Sequence, residues 1–95
     1  MASYKLSQRA EDDLVRVHQY GVRQWGVVQA DAYFYDLLGQ LDMIGREPLR
    51  FPRVDEILKG HRRSVFRSHA MYFVMKEGVA DIRAIIGSQD TARLR

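Results

Sequence analysis

The chain contains no cysteine among its 95 residues. Neither a disulfide framework nor a thiolate-bound metal site is therefore possible. No apolar run approaches the roughly 20 residues that a membrane-spanning helix needs, and the first five residues lack the apolar core of a signal peptide. These absences predict a cytoplasmic protein that makes no contact with a membrane.

The sequence also lacks the motifs of common catalytic and nucleotide-binding sites. It holds no G-x-S-x-G, no G-x-G-x-x-G and no P-loop, and its three histidines show no metal-ligand spacing. The neighbouring acids Glu11, Asp12 and Asp13 stand in the first turn of a predicted helix, where the helix dipole accounts for negative charge. We therefore expect no catalytic residue, no metal and no cofactor.

Size and charge favour one small domain that binds another macromolecule. The 95 residues form a single domain, 1–95, which ends in a polar and loosely held tail, 88–95. The net charge is +3, and residues 50–69 hold six Lys/Arg against two acids, a local excess of +4. This balance fits attraction to an acidic protein or to nucleic acid. It falls short of a DNA-binding signature, so we expect no sequence-specific nucleic-acid binding.

Two helices are predicted in the first half of the chain. Ser7 is a good N-cap for a first helix over about 8–24, and Gly26 supplies a C-cap position with positive φ. A second helix begins at residue 27 or 28 and ends before Pro48, which disfavours a helical residue in front of it. The short joint between them predicts an antiparallel αα-hairpin. Apolar residues recur at helical spacing on both helices: Ala10, Leu14, Val17 and Gly21, then Ala30, Phe34, Leu37, Leu41 and Ile44.

The rest of the chain reads as strands. A short strand over 3–6 precedes the helices, and strands over 61–67, 70–76 and 79–86 follow a loop over 49–60. Turns are expected at Ser68-His69 and Glu77-Gly78. The middle strand is apolar on both faces, as a central strand is, and one face of the last strand should pack on the helices: Ala80, Ile82, Ala84 and Ile86. The predicted class is α+β, with a short N-terminal strand, an αα-hairpin and a three-stranded antiparallel meander in one sheet that carries the helices.

Four arginines of the meander are the leading functional candidates: Arg62, Arg63, Arg67 and Arg83. Arg63 and Arg67 are expected on one strand face and Arg62 on the other. With Tyr72 they could form a basic patch that binds phosphates, RNA bases or acidic side chains. The alternative is that they are charged edge positions that discourage strand-to-strand aggregation.

Aromatic residues on the helical half indicate a second surface. Trp25 follows the first helix, where it either anchors the turn between the helices or contacts a partner. Tyr33, Phe34 and Tyr35 are consecutive, so they cannot all face inward on a helix. At least one of them should be exposed.

Short matches to a known family run through nearly the whole chain in a fixed order. They are Leu6-Ser7, Ala10, Asp13-Leu14, Tyr20, Trp25-Gly26, Gln29-Ala30, Tyr33, Pro48, Gly60, Arg62-Arg63, Ser68-His69, Phe73 and Asp81-Ile82-Arg83. In this set the sequence resembles the ParE branch of the ParE/RelE superfamily, the toxins of bacterial type II toxin–antitoxin modules. The resemblance implies a toxin that binds DNA gyrase, traps its cleaved-DNA state and blocks replication without being an enzyme.

The superfamily also contains RelE-like toxins, which cleave mRNA on the ribosome. These typically carry a tyrosine or histidine near the end of the last strand, whereas residues 85–89 here contain neither. Related ParE chains often have a histidine near the position of Gly87. The ribosome-dependent endonuclease is therefore the second hypothesis, and an inactive or repurposed binding module is the third.

The resemblance further implies a cognate antitoxin of the ParD type or another type II kind, bound in a hetero-oligomer. Such antitoxins lay an extended, partly helical segment along the helical hairpin and a sheet edge. Phe34, Tyr35 and Leu38 are our candidates for that contact. The four meander arginines and the polar tail are the candidates for contact with gyrase.

Overall fold

The computed structural model describes residues 3–94 of the chain. Along the sequence the elements are β1 (Tyr4–Leu6), α1 (Gln8–Trp25), α2 (Val27–Arg46), a 3-10 helix (Pro48–Arg50), β2 (Arg62–Phe66), β3 (His69–Lys76), β4 (Val79–Gly87) and a second 3-10 helix (Thr91–Leu94). The strands form one sheet in the order β1-β4-β3-β2, in which β1 runs parallel to β4 and the other pairs are antiparallel. The predicted α+β architecture is confirmed.

A capped start and a shared glycine set the geometry of the helical hairpin. The Ser7 hydroxyl accepts a hydrogen bond of 3.1 Å from the backbone N–H of Ala10, as an N-cap does. Gly26, with φ of 88°, ends α1 and begins α2: its N–H donates to the carbonyl of Val22, and its own carbonyl accepts from Ala30. Only glycine adopts this φ readily. The chain therefore reverses within one residue.

The main core lies between the helical hairpin and one face of the sheet. Apolar positions at helical spacing on α1 and α2 meet the inward side chains of β3 and β4. The fully buried members include Leu37, Leu41 and Ile44 on α2, with Met71, Phe73 and Ile82 on the sheet.

A second apolar cluster covers the outer face of the sheet, which is the face turned away from the helices. It consists of Val54, Ala70, Tyr72, Ala84 and Ile86, and Ile57 and Leu94 pack against it. Val54 and Ile57 of the loop before β2, together with Leu94 of the C-terminal 3-10 helix, therefore cover this face. Burial on both sides explains why β3 is apolar on both faces.

The last strand contains a β-bulge that the sequence alternation does not reveal. Tyr72 pairs with Ala84 and Phe73 pairs with Ile82, so Arg83 is an extra residue on β4. An extra residue shifts every later side chain to the opposite face of the strand.

The bulge changes which residues of β4 face the helices. Ala80 and Ile82 lie in the main core, but Ala84 and Ile86 lie in the outer cluster, and Ile85 faces the helices instead. The prediction that all four alternating residues pack on the helices is therefore wrong for the second half of the strand. It assumed an uninterrupted period of two.

The two hairpin turns differ in how well they were predicted. Glu77 and Gly78 have φ of 54° and 78°, so the turn expected there is confirmed. The first turn consists of Arg67 and Ser68, because His69 belongs to β3 and pairs with Gly87. Arg67 was predicted on a strand. It is instead the first residue of the turn, with φ of 54°.

The C-terminal residues expected as a polar tail, 88–95, are described as far as residue 94. The N–H of Ser88 donates to the carbonyl of Ser68 at 2.8 Å, and the N–H of Asp90 donates to that of Gly87 at 2.9 Å. Leu94 then reaches the outer cluster. Within residues 3–94, no helix has the length and apolar character needed to cross a membrane.

Candidate functional site

The structure does not gather the four meander arginines into one patch. Arg67 lies on the helix side, where its Nη2 atom donates to Asp36 of α2 at 3.0 Å. Its guanidinium also lies 4.8 Å from the ring centroid of Phe66 and 5.6 Å from that of Tyr33. The prediction that it shares a strand face with Arg63 is wrong, because it belongs to the turn.

Arg62 is also engaged within the chain. It is in register with Phe73, whose side chain lies in the main core, so Arg62 projects to the helix side of the sheet. Its Nη1 atom donates to the carbonyl of Phe51 at 2.7 Å. This bond ties the start of the 51–60 segment to the edge of the sheet.

Arg63 and Arg83 lie on the outer face, on either side of β3. Arg63 is in register with Tyr72, and within residues 3–94 its side chain has no hydrogen-bonded or ionic partner. Arg83 reaches Asp81 at 3.4 Å between Nε and Oδ2. Tyr72 between them is fully buried. A patch in which Tyr72 stacks on a ligand is therefore not formed.

The three residues proposed for the antitoxin contact do share one surface. Phe34, Tyr35 and Leu38 line a groove of about 660 Å³ between α1 and α2. Tyr35 is 73% exposed, and Val15 across the groove is 54% exposed. The sequence analysis did not single out Val15. Its position beside Leu14 at the margin of the apolar stripe of α1 was the available signal.

A second concavity lies between α1 and the end of the sheet. Arg16, Tyr20 and Arg23 line it from α1, and His69, Gly87 and Arg93 are among the residues on the other side. Its volume is about 280 Å³. We call it the basic cleft. The cleft was not predicted from the sequence, although Arg9, Arg16 and Arg23 recur every seven residues and so share a face of a helix.

Asp13 lines the basic cleft, and its contacts differ from those expected of an acid that only stabilises the helix dipole. Its side chain is 3% exposed, and Oδ2 accepts a hydrogen bond of 3.0 Å from the backbone N–H of Ile85. Arg9 and Arg16 form ion pairs with the same carboxylate. Because β1 pairs with β4 only as far as Ile82, Asp13 serves an N–H that β1 does not reach. The contacts of Asp13 with β4 and with two arginines, rather than the helix dipole, therefore explain an acidic residue at this position.

His69 brings an imidazole to the cleft from the strand beside β4. It pairs with Gly87, and its Nδ1 atom lies 2.6 Å from the hydroxyl of Tyr33. Burial lowers the pKa of His69 below its ordinary value of 6.5. The ring is therefore neutral at physiological pH. The last strand, β4, has no histidine near its end, but His69 on the neighbouring strand β3 brings an imidazole beside Gly87.

Metal-binding groups are not brought together in the part of the chain that the structure describes. Residues 3–94 contain no cluster of three His, Asp or Glu side chains that could hold an ion. His18, which lies at the groove, is paired with Asp31 at 2.7 Å and contacts the edge of Phe34.

Fold and surfaces together define a small α+β domain, with an apolar groove on its helices and a basic cleft at the end of its sheet. The family described as the ParE toxin of type II toxin–antitoxin system, parDE, matches residues 4–91. The chain belongs to this family, and the resemblance found in the sequence is confirmed.

Individual relatives agree with this assignment. The chain is 32% identical over 85 residues to Toxin ParE1 of Caulobacter vibrioides, covering 90% of this chain and 88% of that one. It is 30% identical over 84 residues to Toxin ParE1 of Mycobacterium tuberculosis, covering 87% and 86%. A solved structure of the chromosomal ParDE TA system from P. aeruginosa has a similar fold, with a TM-score of 0.80 at 19% identity over 92% of this chain and 96% of that one.

Proposed function

We propose that this chain is a toxin that blocks replication by binding DNA gyrase in the bacterial cytoplasm and that a cognate antitoxin neutralises it. The observation that carries the proposal is the ParE family match over residues 4–91. On this proposal the toxin acts by binding rather than by catalysis.

The outer face of the sheet offers the arginines best placed to meet gyrase. Arg63 has no partner within residues 3–94, and Arg83, whose side chain is 43% exposed, forms one ion pair, with Asp81, which is 14% exposed. Both guanidinium groups are available to carboxylates or phosphates of a target. Arg62 and Arg67 remain in the proposed set. To contact gyrase, Arg62 would first have to release the carbonyl of Phe51, and Arg67 would have to release Asp36.

The groove between α1 and α2 is the proposed antitoxin site. Phe34, Tyr35 and Leu38 present apolar surface on one side, and Val15 presents it on the other. A groove of this kind accepts the apolar face of an amphipathic helix. The functional unit would then be a hetero-oligomer of toxin and antitoxin.

The test of the proposal is a gyrase assay with the purified, antitoxin-free chain. Gyrase, ATP and relaxed plasmid are incubated with the chain, and supercoiling and linear cleaved DNA are followed on a gel. Loss of supercoiling with accumulation of cleaved DNA is the expected result. An unaffected gyrase in the presence of folded chain contradicts the proposal.

The basic cleft favours a second candidate, a ribosome-dependent mRNA endonuclease. His69 lies opposite Gly87, and Arg16, Arg23 and Arg93 line the same cleft. A neutral imidazole can accept a proton and guanidinium groups can stabilise phosphate charge. If this candidate is correct, a translated reporter transcript is cut within codons soon after induction, and the His69→Gln variant does not cut it.

A further inference from the structure

The basic cleft is built on one face of α1. Arg9, Asp13, Arg16, Tyr20 and Arg23 are separated alternately by four and three residues, so their side chains form one stripe along the helix. The contacts show where this stripe points. Asp13 binds the N–H of Ile85 on β4, and the Nη2 atom of Arg9 donates to the carbonyl of Arg93 at 2.6 Å. The stripe therefore faces the end of the sheet and the C-terminal 3-10 helix.

The charges in the cleft do not cancel. Arg16, Arg23 and Arg93 line it together with a single acid, Asp13. Asp13 is already bound to Arg9, Arg16 and the backbone of Ile85. Arg93 pairs with Asp90, but only at 3.7 Å. Among residues 3–94, no carboxylate lies within ion-pair distance of Arg23. At least one guanidinium is left for a ligand.

The shape of the cleft strengthens this positive charge. Its walls come from α1 and from the C-terminal segment, and its volume is about 280 Å³. A concave site lined by one sign of charge concentrates the electrostatic potential. Guanidinium groups bind phosphate oxygens through paired N–H donors. A phosphate group is therefore a better match to the cleft than an uncharged ligand.

One aromatic ring in the cleft and a second ring in contact with it indicate which kind of phosphate compound the cleft binds. Tyr20 lines the cleft and is 51% exposed, and Trp25, also 51% exposed, contacts it edge to face with ring centroids 6.1 Å apart. Exposed rings beside a basic groove are the arrangement on which nucleic-acid bases stack. The carboxylates of an acidic peptide would pair with the arginines, but such a peptide has no bases to stack on these rings.

We infer that the basic cleft binds the phosphodiester backbone of a nucleic-acid strand, with Arg23 as the principal phosphate contact and Tyr20 placed to stack on a base. This binding is independent of sequence, since the cleft offers backbone recognition and stacking. The inference does not rest on the gyrase proposal, because the isolated chain should bind without gyrase. It places its ligand in the cleft that the endonuclease candidate would use, and binding without cleavage of a translated transcript would contradict that candidate alone.

The experiment compares two arginines in matched positions. Arg23 lies in the last turn of α1 and Arg46 in the last turn of α2; both are exposed, and only Arg23 lines the cleft. Arg23→Glu and Arg46→Glu change the net charge equally. Binding of short fluorescent single-stranded DNA, duplex DNA and RNA is measured by anisotropy at low salt, and circular dichroism verifies the fold of each variant.

We expect wild type to bind at least one of these probes and Arg23→Glu to weaken that binding roughly tenfold. Arg46→Glu should change it less than about twofold. Arg23→Lys should fall between wild type and Arg23→Glu, since lysine keeps the positive charge but lacks the paired N–H donors of the guanidinium. The salt dependence of binding should become shallower in Arg23→Glu, because fewer counterions are released. A preference for RNA or for DNA identifies the source of the phosphodiester.

Three results would overturn the inference. The first is the absence of binding to every probe by the wild-type chain. The second is an equal loss in Arg23→Glu and Arg46→Glu, which would indicate attraction by net charge alone. The third is displacement of the probe by a poly-glutamate peptide at lower concentration than by unlabelled nucleic acid, which would identify an acidic peptide as the better ligand.

Discussion

At the scale of single residues, the buried and partly buried polar groups of this toxin differ in whether they have hydrogen-bond partners. Asp13 serves a backbone N–H and two arginines. Tyr33 is bonded to His69 at 2.6 Å. The fully buried hydroxyl of Tyr72, by contrast, has no partner among the described residues. Because an unsatisfied buried group is unfavourable, the same chemical change should have opposite effects at the two tyrosines.

Replacing each tyrosine by phenylalanine tests this contrast. Tyr33→Phe removes a made hydrogen bond and should lower the free energy of unfolding by about 1 kcal/mol. Tyr72→Phe removes only the unpaired hydroxyl and keeps the ring, so stability should be unchanged or higher by up to about 1 kcal/mol. Urea unfolding followed by circular dichroism measures both. An equal loss in the two variants would mean that the Tyr72 hydroxyl is hydrogen-bonded after all.

His69 should make stability depend on pH. Burial lowers its pKa in the folded chain, so the unfolded chain binds a proton at higher pH than the folded one. Stability attributable to His69 should therefore fall as the pH falls through 6.5 and level off below the lowered pKa of the folded chain. The measurement is the difference in urea stability between wild type and His69→Gln, from about pH 8 to about pH 5. Parallel curves for the two proteins would rule out this titration.

At the scale of the elements, the sequence predicted the helix ends and turns that depend on residues close together in the chain. The Ser7 cap, the reversal at Gly26, the end of α2 before Pro48 and the turn at Glu77-Gly78 each follow from local chemistry. The bulge at Arg83 does not, because nothing in the alternation of β4 marks the extra residue. It depends on pairing with β3, which is a tertiary property.

The same limit applies to the two candidate surfaces: the groove lies on neighbouring residues of the helices, whereas the basic cleft combines distant parts of the chain. Phe34, Tyr35 and Leu38, which were chosen as exposed apolar candidates on one helix, do line one groove, and their contact with an antitoxin stays a prediction. The basic cleft combines α1, β3, β4 and the C-terminal 3-10 helix, so its residues are distant in sequence. Only the seven-residue spacing of the α1 arginines was visible in advance.

Two glycines of α2 separate helix propensity from packing. An added Cβ at Gly39 would meet nothing within 4 Å, whereas at Gly45 it would lie 2.8 Å from the backbone carbonyl oxygen of Ser3. Gly39→Ala should raise stability by about 1 kcal/mol, since alanine is the better helix former. Gly45→Ala should lower it by roughly 1–3 kcal/mol, because the segment that leads into β1 must move. Thermal unfolding of the two variants measures the contrast, and a stabilised Gly45→Ala would show that this segment yields freely.

At the scale of the whole molecule, the proposed surfaces lie on different sides of the sheet. The helical hairpin covers one face and carries the groove of Phe34, Tyr35 and Leu38. Arg63 and Arg83 lie on the other face, beside the outer cluster on which Ile57 and Leu94 pack. An antitoxin helix in the groove would leave these arginines uncovered. Affinity for the antitoxin and toxicity should therefore respond to different substitutions.

Two variants test this separation. Tyr35→Asp changes an exposed side chain of the groove and should weaken antitoxin binding by about 2 kcal/mol, as loss of an interface tyrosine does, while the chain stays toxic. Arg63→Ala/Arg83→Ala should lose toxicity but keep its affinity for the antitoxin. Growth after induction and calorimetric titration with the cognate antitoxin measure the two properties. Arg46→Ala/Arg50→Ala removes two exposed arginines, one in the last turn of α2 and one in the 3-10 helix that follows it, and should affect neither. If either test variant lost both properties while remaining folded, one shared surface would serve target and antitoxin, and neutralisation would be simple competition for it.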